Sequence, residues 1–333
     1  MGPDAVLGAL VAELLLETNM DRPQHSEARS GSIRTFGVAC LIMLQAVTPV
    51  FAQIELSGSW GARNYSDALS NNPGPRWLPL DFMGLPLNAT GLWRGLIYSP
   101  STISMPERIC SFYPPIYMLM GPFGLKIWNE TEPRNGTTIA WHINGWEDRG
   151  PTTIWMDGRA HPSENAPHGM SGFTTGQWVD DVLTTYTTHM KAGQVRKSGA
   201  PNSDQVTMTT RYFRHGDILT VTARIDDPEY LAEPYYLTRT FQLDVLPAIR
   251  TVGPPCIQGD EGVAEEVVPH YLPGKNPFLD EIMKKYGIPP EASLGGAETM
   301  YPDIRKKIKD KYKAPEQCTY ACGGPGGFPL RLQ

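Results

Sequence analysis

Five of the seven histidines, His142, His161, His168, His189 and His215, crowd into one stretch of the chain, and carboxylates and cations accompany them. Three histidines with a carboxylate form a donor set for a divalent metal such as zinc, copper or non-haem iron. A histidine beside a carboxylate can serve as general base toward a small ligand. Arg159 with Lys191, Arg196 or Lys197 can pair with an anionic group. Each has a plainer alternative: His161 precedes Pro162 and His168 follows Pro167, so both can simply anchor a loop, and His189 can be a satisfied residue at a strand end. The GxSxG elbow, HExxH, the phosphate loop and GxGxxG between strand and helix are all absent, so no reaction class is singled out.

The elements that carry these residues read as strands. GLKIW, TTIAWHIN, TTIWMD, SGFTTGQW, DVLTTYTTHM, QVTMTTRYF, DILTVTARI and YLTRTFQLD are short runs rich in Thr, aromatic and β-branched residues. Turn chemistry separates them at Arg134-Asn135-Gly136, Val179-Asp180-Asp181 and His215-Gly216-Asp217. The expectation is a mainly β fold. An antiparallel meander over about 124–245 closes into a lipocalin-like barrel, with a twisted β-sandwich as the alternative. If neighbours alternate in direction throughout, one mouth collects Asp157, Arg159, His161, His168, His189, Asp226, Glu229 and Glu233. His215 and Asp180 then belong to the opposite end.

The flanks have other characters. The chain holds 33 glycines and 31 prolines, which argues against a helical bundle. Residues 53–123 and 246–275 read as Pro/Gly-rich coil with short strands, wrapped around the strand block. Asn276 and Pro277 open a helix signal that Gly287 closes, and a second helix over about 302–313 is ringed by Lys and Arg. That basic face suits a solvated surface or a weak contact with an acidic envelope partner. A net charge of −6 gives no support to nucleic-acid binding.

Residues 1–52 read as a leader. Phe36–Ala52 is mostly apolar, follows Arg29 and Arg34, and ends in Val50-Phe51-Ala52, which predicts cleavage after Ala52 and a periplasmic or secreted protein. No later segment is long and apolar enough to span a membrane as a helix. The expected organisation is this leader, a single β-rich domain over 53–275, and a helical extension with a Cys/Gly tail over 276–333. Beyond the leader stand Cys110, Cys256, Cys318 and Cys322, disulfide candidates in an exported chain, with three connectivities open.

The motifs IWMDGRAHP, GQWVDDVLTTYTT and DPEYLAEP, with the tail YLPGKNPFLDEIMKKYGIPPEASLGGAETMYPDIRKK, resemble a family of exported bacterial proteins of unknown function. The resemblance covers about 76–312 and implies export and a β-rich fold, but no reaction. One departure is Val179-Asp180-Asp181, where the family more often has Glu-Gly-Asp, so a glycine is lost from the turn. The expected function is binding, with or without processing, of a small organic molecule at the barrel mouth. A metal-dependent enzyme at the same mouth and a structural or envelope-interaction protein are the alternatives.

Overall fold

The computed structural model describes residues 54–63, 79–82, 84–99, 114–119, 124–145, 150–195, 198–245, 268, 270–281, 284 and 289–311. The predicted leader, the four candidate disulfide cysteines, Arg196 and Lys197 lie outside the described residues.

The eight predicted strand runs each form a strand: β2 (Leu125–Thr131), β3 (Thr138–Gly145), β4 (Thr152–Trp155), β5 (Phe173–Val179), β6 (Val182–Thr188), β9 (Thr207–His215), β10 (Ile218–Asp226) and β11 (Tyr235–Leu243). A ninth, β1 (Gly58–Ala62), is one of the short strands expected in the Pro/Gly-rich segment before the strand block. It lies between β11 and β2 and closes the barrel in the order β1-β11-β10-β9-β6-β5-β4-β3-β2. Closure gives every strand a paired neighbour on both sides, which an open sheet cannot do. Two short strands, β7 (Gly193–Gln194) and β8 (Pro201–Asn202), form a separate ladder.

Alternation determines which side chains fill the barrel. In β10, Leu219, Val221, Ala223 and Ile225 are buried, and in β11 Tyr235, Leu237, Arg239 and Phe241 are. Period-2 burial along paired strands is what one packed and one outward face require. Trp60 fills the β1 side, fully buried, and its indole N–H donates to the Leu56 carbonyl at 2.9 Å.

The pairing departs from an antiparallel meander at one place. β4 and β5 run parallel, with Ile154 opposite Thr174 and Trp155 opposite Thr175. A parallel connection must carry the chain back to the end where β4 began, so residues 156–172 return along the barrel rather than turning tightly at one mouth. β4 is also short: β5 continues through Val179 while β4 stops opposite Thr175. A notch therefore opens in the wall between the start of β3 and the second half of β5.

The end of the barrel with the predicted mouth is stoppered. Helix α2 (Pro115–Met118), with every residue buried, and Leu119 line the interior beside Ile143, Thr174, Thr187 and Met208. The space left there is about 10 Å³, roughly one water molecule. At this end, among these residues, the barrel is closely packed.

Helix α1 (Ala89–Leu96) covers the acidic loop after β10. Asn88 caps it by accepting from the Gly91 N–H, and its amide donates to the Glu229 carbonyl at 2.9 Å. Gly91 packs directly on Tyr230, leaving no room for a Cβ. The C-terminal part holds a short 3₁₀ turn (Pro277–Leu279) where the first helix was expected; residues 282–283 and 285–288 of that expectation lie outside the described residues. Asn276 caps the turn as predicted, accepting from the Phe278 N–H. Helices α3 (Pro290–Ser293) and α4 (Pro302–Lys311) follow, the latter matching the predicted basic helix. No helix among the described residues is long and apolar enough to cross a membrane.

Candidate functional site

Loop 156–172 carries the MDGRAHP motif, and its first turn explains why those residues occur together. Gly158 takes φ +73°, a conformation that glycine adopts without penalty. The turn folds Arg159 back on the strand it has just left. Its guanidinium lies over the Trp155 ring, 3.5 Å from the centroid, and donates to both oxygens of Asp157. That guanidinium holds the Asp157 carboxyl below the usual carboxylate range. Both side chains are partly exposed, so screening by water keeps the pair's contribution to stability small.

The loop then lies on the outer face of β5 and β6. Thr174 and Thr187 point inward, with their hydroxyls 2.9 Å apart. The opposite parity, Phe173, Thr175, Tyr186 and Thr188, points outward, and His161 sits on these four. Its Nδ1 is 2.8 Å from Thr188 Oγ1 and its Nε2 is 2.8 Å from Thr175 Oγ1. Phe173 meets the ring edge-on at 5.1 Å and Tyr186 lies tilted at 5.2 Å. Burial, and secondarily the neighbouring His189, lower the pKa of His161 below the ordinary imidazole value.

His189 follows β6 with φ +57°, a left-handed conformation uncommon outside glycine. Its Nδ1 is 2.7 Å from the same Thr188 hydroxyl, and its Nε2 is 2.8 Å from the Ser163 carbonyl. His168 packs against it with ring centroids 5.1 Å apart, while its Nδ1 donates to the Met190 carbonyl. Backbone bonds from Gly169 to His189 and from Lys191 to Gly169 sew the loop to the chain beyond β6.

The three histidines thus do come together, but outside the barrel. Both ring nitrogens of His161 and of His189 bond to hydroxyls or a carbonyl instead of pointing to a common centre. Among the described residues no group of three or more His, Cys, Asp or Glu is arranged to hold a metal ion.

The residues predicted at the mouth fall into two hydrogen-bonded groups. Asp157, Arg159, His161, His168 and His189 belong to the outer wall, because the parallel β4–β5 pairing lays their loop there. Glu229 and Glu233 belong to the loop under α1. In that loop Asp227, buried, accepts from the Ser203 N–H and hydroxyl at 2.7 Å each and from the Glu229 and Tyr230 N–H groups. The Asp-Pro motif is therefore a clasp between β8 and the β10–β11 loop. Asp226 pairs with Arg224 at 2.8 Å. His215 and Asp180 stand at the opposite end, at the β9–β10 and β5–β6 turns, as predicted.

What the outer wall does offer is the notch beyond β4, a groove of about 600 Å³. Outward-facing Gln177, Thr184 and Tyr186 line it together with Thr138 and Arg159, and so do Met156 and Trp178, which pack against the core. Thr175 lines it too and is the residue that His161 holds from behind. Tyr186 is 45% exposed, an aromatic face open to the groove. Sequence reasoning missed Thr175, Gln177, Thr184, Tyr186 and Thr188, because threonine-rich strands read as ordinary β propensity. The available signal was the need of a loop histidine for a hydroxyl partner on the outward parity of β5 and β6.

Fold and site together define a closed nine-stranded mixed β-barrel with a groove in its wall where β4 ends. No protein-family model, no curated protein and no solved structure matches the chain.

Proposed function

We propose that this protein is exported and binds a small organic molecule in the outer-wall groove where β4 ends, rather than in the barrel mouth. One observation carries the reading. The pocket under the α2 stopper leaves about 10 Å³, whereas the groove offers about 600 Å³ lined by hydroxyls, an amide, a guanidinium and two aromatic rings. A concave site of several hundred Å³ with a few convergent polar groups is the usual form of a small-molecule site. The lining suits a neutral or singly charged polar ligand with one flat face, with Tyr186 for stacking and Gln177, Thr184 and Thr138 for hydrogen bonds. Export is supported by the basic flank, apolar run and Val50-Phe51-Ala52 ending of residues 1–52. The resemblance to exported bacterial proteins also supports it.

The test is a thermal-shift screen of the full chain against small sugars, hydroxy acids and aromatic acids, followed by titration of each hit. Tyr186→Ala and Gln177→Ala are expected to weaken a true hit about tenfold or more, roughly the loss of one good contact. A panel without hits, or hits that bind both variants as tightly as wild type, overturns the reading.

A further inference from the structure

The hydrogen-bond chain behind the groove has a direction, and one atom sets it. The Ser163 carbonyl can only accept, so His189 Nε2 must carry a proton. A neutral imidazole has a single N–H, so His189 Nδ1 is then a lone-pair acceptor, and the Thr188 hydroxyl donates to it. With its proton so used, Thr188 Oγ1 accepts from His161 Nδ1–H. His161 Nε2 is left as the acceptor, and what faces it at 2.8 Å is the Thr175 hydroxyl. Each proton has one place, and the last belongs to Thr175, at the groove.

This is the arrangement of an activated hydroxyl: a nucleophile within hydrogen-bond reach of a base whose far nitrogen is oriented by a third group. We propose that Thr175 is a nucleophile and His161 its general base, and that the groove hydrolyses esters of small organic acids. This rests on the groove being the ligand site. His161 is boxed by Phe173 and Tyr186, and its burial favours the neutral ring that a base requires.

Thr175 Oγ1 attacks the ester carbonyl carbon as its proton passes to His161 Nε2, and the carbonyl π pair moves onto oxygen. Collapse breaks the bond to the leaving alkoxide, which takes the proton from Nε2 and departs as the alcohol. Water then attacks the acyl-threonine and gives a proton to Nε2, which returns it to Thr175 Oγ1 as the acid leaves. Ester and water become acid and alcohol, with no further reactant. The Arg159 guanidinium and the Gln177 amide, in the same lining, are the side-chain donors at hand for the oxygen that gains charge. Thr188 and His189 are positioning residues. Protonating His189 at Nδ1 lets Thr188 donate to His161 instead, which reverses the chain and removes the base.

The test uses the full chain with p-nitrophenyl acetate, read by nitrophenolate release and by mass spectrometry of the peptide containing Thr175. Wild type is expected to turn over faster than heat-denatured protein and to carry an acetyl group on Thr175. Thr175→Val is expected to lower kcat/KM by about 100-fold or more, the scale of general-base assistance. Thr175→Ser is expected to stay within about tenfold of wild type, which separates lost chemistry from lost folding. Thr188→Val is expected to lower kcat with little change in KM and to alter the acid limb of the pH profile. No turnover above the denatured control, acetylation confined to other residues, or Thr175→Val at the wild-type rate overturns the proposal. A thermal-shift hit weakened by Tyr186→Ala would survive any of these, so the binding reading and the hydrolytic one fail separately.

Discussion

Replacing Thr188 by valine removes one hydroxyl and keeps the shape and β propensity of the side chain, so its effect isolates the bridge between two histidines. Two hydrogen bonds go, at 2.8 Å to His161 Nδ1 and 2.7 Å to His189 Nδ1. Each contributes about 1 kcal/mol net, and a half-buried N–H left without a partner adds to that. His189 reaches water and recovers part of its loss. The sum is about 2 kcal/mol. For a domain of this size each kcal/mol moves the melting temperature by roughly 2–4 °C, so a fall of about 4–8 °C is expected. Circular dichroism melts of the full chain measure it. Thr188→Ser should recover most of the loss, because it restores the hydroxyl without the methyl. A change under about 1 °C, or equal losses for the valine and serine variants, would refute the hydrogen-bonded bridge.

Three further outcomes follow from other contacts. The unfolded His161 titrates near 6.5 and the folded one lower, so its contribution to stability is present above that value and lost as pH falls through the folded pKa. The groups facing His161 are His189 across Thr188, with His168 behind it, and the Tyr186 phenol. His161→Gln should flatten the acid side of a plot of Tm against pH, and an unchanged slope would show that other groups set it. Asp180 takes φ +52° in the two-residue β5–β6 turn, a conformation that favours glycine. Asp180→Gly is therefore expected to be neutral or to raise stability by under about 1 kcal/mol, and Asp180→Val to lower it by about 1–2 kcal/mol, both by urea titration. Gly172 takes φ +64°, and a Cβ there would lie 2.6 Å from the Thr188 carbonyl oxygen. Gly172→Ala should cost about 3 kcal/mol by the same titration, backbone strain and overpacking together; a cost below about 1 kcal/mol would mean that the loop end yields easily.

Much of the barrel was legible in the chain because β structure writes itself locally. Period-2 runs such as ILTVTARI and turn pairs such as His215-Gly216 depend only on neighbours in sequence, and all eight predicted runs became strands. β1 was only loosely legible, as one short strand in a coil-rich segment: GSWGA carries two glycines and no alternation, and its role follows from β11 and β2 each leaving an edge for it to pair. The histidine cluster was half legible. Composition brought His161, His168 and His189 into one group, and they do meet. Its place was not legible, because it follows from the direction of one strand pair, β4 with β5. No local pattern encodes that direction: it depends on a seventeen-residue connection crossing the barrel wall, from Met156 to Gly172.

The same division runs through the site. Residue types fixed in advance what chemistry was available: imidazoles, hydroxyls, a guanidinium and carboxylates, with a loop motif in which glycine had to turn the chain. Tertiary structure decided which of these share a surface. It tied Asp227 to Ser203, placed Pro115–Met118 inside one end of the barrel, and brought two imidazoles to the Thr188 hydroxyl. The physical reason is that a hydrogen-bond chain and a groove are relations between distant segments. They come into being only when the barrel closes, one strand stops short, and the returning loop finds the outward parity of the strands beside it.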